Sequence, residues 1–171
     1  MEKRRFMKMK IRPLLPFEWK MFRDFRLHAL KCSPGMFEST YAQAAARSED
    51  DWRALLSPER QQIFGLFDDQ KLVGITGVFT SKEDPETAQL VMSFILPEYR
   101  GQKLSGLFYR ARLDWARRRK TFRRVIVGVR ESNAASAAAM RAAGFQPTHR
   151  EPRIWPDGAA EDEIWYELAL M

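Results

Sequence analysis

One stretch constrains the chain more than any other: Tyr99-Arg100-Gly101-Gln102-Lys103-Leu104-Ser105-Gly106-Leu107-Phe108. It joins an apolar, strand-like run to a strongly patterned helix through a short basic turn. The first N–H groups of a helix have no partner inside it, and that end carries about half a unit of positive charge. Strand, glycine turn and helix in this order therefore make a place for phosphate. Downstream, Leu104, Leu107, Phe108, Ala111 and Trp115 recur at helical spacing as one apolar stripe, while Arg110, Asp114, Arg117 and Arg118 face elsewhere. Upstream, Ala88 to Leu96 alternates: Ala88, Leu90, Met92, Phe94 and Leu96 fall on one face, and Gln89, Val91, Ser93 and Ile95 on the other. Pro97 ends that strand, and the sheet is expected to open there.

Around this centre the pattern reads as one mixed α and β unit. Lys8 to Arg12 suits a first strand, stopped by Pro13 and Pro16, and Phe17 to Leu30 an amphipathic helix that ends at Ser33-Pro34-Gly35. Ser39 to Ala46 and Ser48 to Leu56 form a second helical region, in which Ser48 caps and Asp51 sits three residues on. These N-terminal helices suit one wall of a cleft, and Phe37 and Tyr41 between them serve either the core or a substrate. Ile63 to Phe67 and Lys71 to Thr80 form a hairpin around Asp68-Asp69-Gln70. Arg124 to Val129 is a strand parallel to Ala88 to Leu96, because a helix intervenes. Ser132 or Asn133 caps a second, alanine-rich helix that stops at Gly144, and Phe145 to Arg150 and Glu163 to Leu170 close the chain around the loop Pro152 to Asp162.

At 171 residues and 45% hydrophobic content the chain supports one domain with a substantial core. No apolar run is long enough to span a bilayer, and Met1 to Lys10 is basic without the apolar segment of a secretory signal, so a cytoplasmic protein is expected. Cys32 is the only cysteine, which excludes an intrachain disulfide and a cysteine-based zinc site. His28 and His149 are too few and too far apart to suggest a metal. The net charge is +7, yet Arg100 to Arg130 holds eleven Lys or Arg against Asp114 alone. The positive charge thus belongs to the turn and its helix, where it suits a polyanion or simply forms a solvated helix face. No nucleic-acid motif accompanies it, and no aromatics interleave with the basic run to stack bases.

Two phosphate loops fail on inspection. Gly101 and Gly106 have Walker A spacing, but Leu107-Phe108 stands where Lys-Ser/Thr is required, and the dinucleotide fingerprint is absent. Pro97-Glu98-Tyr99-Arg100-Gly101-Gln102-Lys103-Leu104-Ser105 instead resembles the acyl-coenzyme A loop of the GCN5-related N-acetyltransferases, Arg/Gln-x-x-Gly-x-Gly/Ala at a strand–helix junction. Asn133 through Gly144-Phe145 is similar to a second signature of that family, Asn-x-x-Ala-x-x-x-Tyr-x-x-x-Gly-Phe. The order of the flanking elements matches too. The resemblance implies the acyl-CoA N-acyltransferase fold, an α+β (three-layer α/β) domain over residues 1–171 with a mixed, splayed β-sheet flanked by helices. It implies acetyl-CoA as cosubstrate, no metal, and an amine acceptor, either a small molecule or a protein amine. Pantetheine would lie between Ala88–Leu96 and Arg124–Val129 and bond backbone groups near Phe94 and Ile95. The N–H groups across Arg100, Gly101, Gln102, Lys103, Leu104, Ser105 and Gly106 would take the pyrophosphate, and Asn133 and Ser136 would contact the cofactor from the second motif.

Departures from the pattern bear on mechanism. Lys103 replaces the middle glycine; if the turn keeps a right-handed helical conformation, its ammonium reaches a phosphate. A glutamate on the fourth strand serves some members as base, and Gln89 stands there. The tyrosine that often protonates the thiolate is Met140. Ser93, expected on the same face as Gln89, and His149 remain as replacements. The losses also leave room for a non-catalytic acyl-CoA-binding or regulatory domain. Acceptor choice is expected to fall to the N-terminal helices and to Pro152–Asp162, where Trp155, Asp157, Glu161 and Asp162 offer an apolar wall and carboxylates to a cationic amine or form a solvated loop. Exposed edge strands suit a homodimer.

Overall fold

The computed structural model describes residues 8–171, so the first part of the Met1–Lys10 reading lies outside the described residues. One seven-stranded sheet organises the chain, in the order β1-β2-β3-β4-β5-β7-β6. Its strands are β1 (Met9–Pro13), β2 (Gln61–Asp68), β3 (Lys71–Thr80), β4 (Thr87–Ile95), β5 (Arg124–Arg130), β6 (Gln146–Glu151) and β7 (Glu163–Ala169). The helices are α1 (Trp19–Cys32), α2 (Tyr41–Ala45), α3 (Glu49–Leu55), α4 (Ser105–Arg118) and α5 (Ala134–Ala142). Only β4 and β5 run parallel, as the intervening helix requires; every other pair is antiparallel.

Local chemistry accounts for most boundaries. Ser48 caps α3 with Oγ on the Asp51 N–H at 3.2 Å, and Asp51 returns a bond to the Ser48 N–H at 3.0 Å. Thr40 caps α2 in the same reciprocal way with Gln43. Trp19, Phe22, Ala29 and Leu30 turn the inner face of α1 onto Ile63, Ile75 and Phe94 of the sheet. Each large apolar side chain buried there contributes about 1.5–3 kcal/mol. On the opposite face α4 and α5 cover Val78, Leu90, Val125 and Val127 with Leu113, Ala116 and Met140.

Three expectations are corrected. The sheet opens well before Pro97: β4 and β5 pair only at Thr87↔Arg124, Ala88↔Val125 and Gln89↔Ile126. The cause is a bulge in β4, where the register against β3 jumps from Gly77↔Val91 to Ile75↔Phe94 and Met92 takes φ +60°. That bulge also resets the alternation. Gln89 pairs across Phe79 on the α1 side, whereas Ser93 bonds α4, so the two do not share a face. Finally, the buried stripe of α4 is Phe108, Arg112, Leu113 and Ala116; Leu107 and Trp115 are only half-buried. An arginine therefore occupies a core position that the apolar periodicity assigns to other residues.

Candidate functional site: the opening between β4 and β5

The carboxyl ends of the two parallel strands diverge, and the loop after each leads into a helix. After β4 come a 3-10 turn (Pro97–Tyr99) and the glycine turn; after β5 come Glu131, Ser132 and Asn133. A crevice outside the carboxyl ends of parallel strands is where open α/β sheets hold ligands.

The glycine turn suits an anion by its backbone. Gly101 adopts φ +75°, and nothing lies within 4 Å of where a Cβ would stand at Gly101 or Gly106. No side chain caps α4. Among the described residues the N–H groups of Gln102, Lys103, Leu104 and Ser105 have no protein acceptor. Lys103 sits at φ +59°, not in the right-handed conformation expected for a side-chain-bearing residue there. The turn keeps the shape that glycine would give it, and lysine bears the cost. Arg100 turns the other way: its Nε donates to the Ile95 carbonyl at 2.9 Å and its guanidinium lies 5.2 Å from the Phe94 ring. The Arg117–Lys120 run is remote from the turn, because α4 rises about 20 Å from end to end. There Arg119 stacks on Trp115 at 4.1 Å and bonds the Glu59 and Pro58 carbonyls.

The β4 bulge is braced from below. Ser93 Oγ lies 2.8 Å from Thr76 Oγ1 and accepts a bond from Arg112 Nη1 at 3.0 Å, while Arg112 Nε donates to the Phe108 carbonyl. Arg112 is 2% exposed, and burial pulls its guanidinium down to about 10. Of the other expected site residues, Asn133 caps α5 through the Ser136 N–H at 3.2 Å, and Met140 is packed in the core under β5. His149 is exposed on the edge strand β6, between Thr148 and Glu151 and stacked on Trp165. Two strands separate β6 from β4, about 14 Å at ordinary strand spacing, and Ser93 faces away. Ser93 and His149 are not brought together.

On the α1 face of the opening stands a residue that strand alternation hides. Glu163 is 4% exposed; its Oε2 takes the Arg153 guanidinium at 2.5 Å, and its Oε1 would lie 2.6 Å from a Cβ at Gly128. The Trp165 indole also closes on Gly128, and its Nε1 is buried without a partner. Glycine at 128 thus makes room for a carboxylate and an indole N–H beside the edge of β5 that β4 has left. Burial pushes the Glu163 carboxyl above the usual range, against the pull of Arg153. A glutamate beginning a strand reads from sequence as a solvated end, so only the cross-strand pair of Glu163 with Arg130 and the shape of Gly128 reveal it.

The carboxylates of the β6–β7 loop are spoken for. Arg130 holds Asp157 at 2.7 Å and Glu161 at 2.6 Å and donates to the Gly35 carbonyl at 2.9 Å. Arg150 takes Asp162 at 3.2 Å, and Arg153 adds Glu38 at 3.0 Å. Two walls of the opening, Gly35–Glu38 and the Arg153–Glu161 loop, are thereby clasped together. Trp155 is buried, with its indole on the Glu161 carbonyl. Among the described residues no His/Cys/Asp/Glu cluster suits a metal, and no helix is long and apolar enough to cross a membrane.

The model of the Acetyltransferase (GNAT) family matches residues 22–145. No curated protein sequence matches the chain significantly. Solved structures do: a GNAT-family acetyltransferase from Streptococcus pneumoniae superposes with TM-score 0.82 at 17% identity, over 95% of this chain and 99% of that one. The protein yncA from Salmonella typhimurium, solved with its cofactor acetyl-CoA, gives 0.79 at 17% identity over 96% and 95%. Spermidine N-acetyltransferase from Vibrio cholerae, solved with CoA and spermine, gives 0.75 at 15% identity over 95% and 96%. At these identities the likeness is one of fold.

Proposed function

The chain belongs to the acetyltransferase (GNAT) family, and from that premise we propose that it is a one-domain cytoplasmic N-acetyltransferase that moves the acetyl group of acetyl-CoA to a primary amine by direct attack. Acetyl-CoA, when bound, supplies the activated thioester. The residues fit it: unpaired N–H groups from Gln102 to Ser105 meet the pyrophosphate, and the edge that β4 and β5 leave unpaired receives the pantetheine amides. Hydrogen bonds to a charged group contribute about 1.5–3 kcal/mol each, so several hold the cofactor without metal. Asn133 and Ser136 close the β5 end, and Lys103 adds a charge to the phosphate end.

The observation that carries the chemistry is the convergence over Gly128 of Glu163 Oε1 and the Trp165 indole, whose Nε1 is buried without a partner. An alkylamine with a pKa of about 10.4 is almost wholly protonated at pH 7 and must lose a proton to attack. Gln89 cannot accept it, and the Ser93 hydroxyl is committed to Thr76 and Arg112. Glu163 takes the proton, directly or through a water that Trp165 holds, as the N–C bond forms and the C–S bond breaks. Burial raises its basicity, and Arg153 keeps it oriented. Met140, being apolar and buried, has no proton for the departing thiolate, which takes one from water. Steady-state turnover of acetyl-CoA against an amine panel tests the reading. Thermal stabilisation by CoA with no turnover of any amine would make the chain a CoA-binding domain instead.

A further inference from the structure

The buried stripe of α1 contains a charge with no counter-ion. Arg26 falls in line with Trp19, Phe22, Ala29 and Leu30 and is 4% exposed, yet its Nε and Nη1 have no hydrogen-bond partner. Its guanidinium lies over the Phe37 ring, 4.5 Å from the centroid, and Phe37 in turn meets Phe94, on the opening, with ring centroids 6.3 Å apart. One turn before Arg26, Phe22 touches Trp52 edge-on at 5.5 Å, and the Trp52 Nε1 is likewise buried without a partner. Arg47 lies 5.4 Å from the Trp52 ring and has no carboxylate within ion-pair distance among the described residues. The nearby Asp51 carboxylate is occupied as a cap on the Ser48 N–H.

A buried charge without compensation is costly, and so are buried N–H donors without acceptors. Here one buried guanidinium and one indole N–H lack an acceptor, and the half-exposed Arg47, with no ion-pair partner among the described residues, stands beside them. Across the opening the balance is reversed: Asp157, Glu161, Asp162, Glu38 and Glu163 each have an arginine. The charge left unmatched on the acceptor face is positive and lies on the α1–α3 wall. We propose that Arg26, Arg47 and Trp52 form an anion subsite that takes the carboxylate of the amine acceptor, so that the acceptor is an amino acid or short peptide rather than a polyamine. The subsite rests on the acetyltransferase reading. One phenyl ring, that of Phe37, separates it from Phe94, which suits a small molecule with amine and carboxylate a few bonds apart.

The test compares matched acceptors in the wild type and in Arg26→Met: glycylglycine against glycylglycinamide, and lysine against cadaverine, with N-acetylglycine as a binding probe read by thermal shift. The wild type should favour the acid of each pair by tenfold or more in kcat/KM, and Arg26→Met should bring that ratio toward one through KM. N-acetylglycine should raise the wild-type Tm and leave that of Arg26→Met unmoved. Without ligand, Arg26→Met should melt no lower than the wild type, because it removes an uncompensated charge. Equal use of acid and amide by the wild type, or an unchanged ratio in the variant, would overturn the subsite. A lower Tm with an unchanged ratio would make Arg26 a structural prop for Phe37. Failure to bind acetyl-CoA would instead remove the acetyltransferase reading, while the N-acetylglycine shift would still decide the subsite.

Discussion

Arg112 Nη1 reaches Ser93 Oγ at 3.0 Å, from the core face of α4 into the bulge that turns β4 away from β5. The helix that begins at the glycine turn thus also braces the strand beside it. Both halves of the proposed cofactor site are therefore coupled through one buried side chain. Removing its partner costs more than removing Arg112 itself. Ser93→Ala strands a buried guanidinium and should lower stability by about 1.5–3 kcal/mol. Arg112→Met replaces it with apolar volume and should be near neutral in urea unfolding, yet weaken CoA binding several-fold as the bulge loses its brace. Equal effects on stability would argue against the brace.

With Glu163 as the proposed base, its titration should govern the pH dependence. Its carboxyl lies above the usual range in the folded chain, mainly through burial, so the acid limb of kcat/KM should fall above that of an ordinary glutamate. Glu163→Gln should lower kcat by about 10²–10⁴ and remove that limb. The stability sign follows from the same shift. The folded state holds this proton more tightly than the unfolded state, so the contribution of Glu163 to stability falls as pH rises through its raised value. Glu163→Gln should not show that loss.

Gly128→Ala separates shape from charge. A Cβ there would meet Glu163 Oε1 at 2.6 Å and Trp165 Cε2 at 3.1 Å, so the carboxylate must move. kcat should drop at least tenfold while the CoA affinity, assigned by the proposal to β4 and the glycine turn, stays close to wild type.

Lys103 carries a conformational cost at φ +59° of roughly 1–2 kcal/mol. Lys103→Gly relieves it but frees the unfolded chain by about 0.4–1 kcal/mol, so the net gain in stability should lie between about 0 and 1.6 kcal/mol. If its ammonium meets phosphate, Lys103→Gly and Lys103→Asn should both weaken CoA binding several-fold, more at low salt than at high salt, by calorimetry.

The Arg130 clasp should open in acid. Arg130 holds the Asp157 carboxyl below its usual range; the Ser132 bond and then Arg130 do the same for Glu161. Their contribution is present above the ordinary carboxylate values and is lost as pH falls through the lowered ones, below about pH 4. Hydrogen exchange at residues 33–40 and 153–162 should accelerate in that window, and Arg130→Gln should exchange quickly at every pH.

Local chemistry made much of the fold legible in the sequence. Capping residues, the parallel pair and the glycine turn all follow from local signals: Ser48 with Asp51, Asn133 with Ser136, a helix between β4 and β5, Gly101 before an uncapped helix. The misreadings share one physical origin. Alternation assumes an unbroken strand, and one bulge at Met92 moved Ser93 to the other face. Apolar periodicity assumes that charges stay in water, and Arg26 and Arg112 both lie inside. Sequence alone determined the strand, glycine turn and uncapped helix start at Tyr99–Phe108, because free backbone N–H groups need only the right local conformation. Tertiary structure alone decided which side chains face the opening. Glu163, Trp165, Gly128 and Arg26 come from segments far apart in the chain, and burial, cross-strand register and the pairing of every nearby carboxylate act only once the sheet has formed.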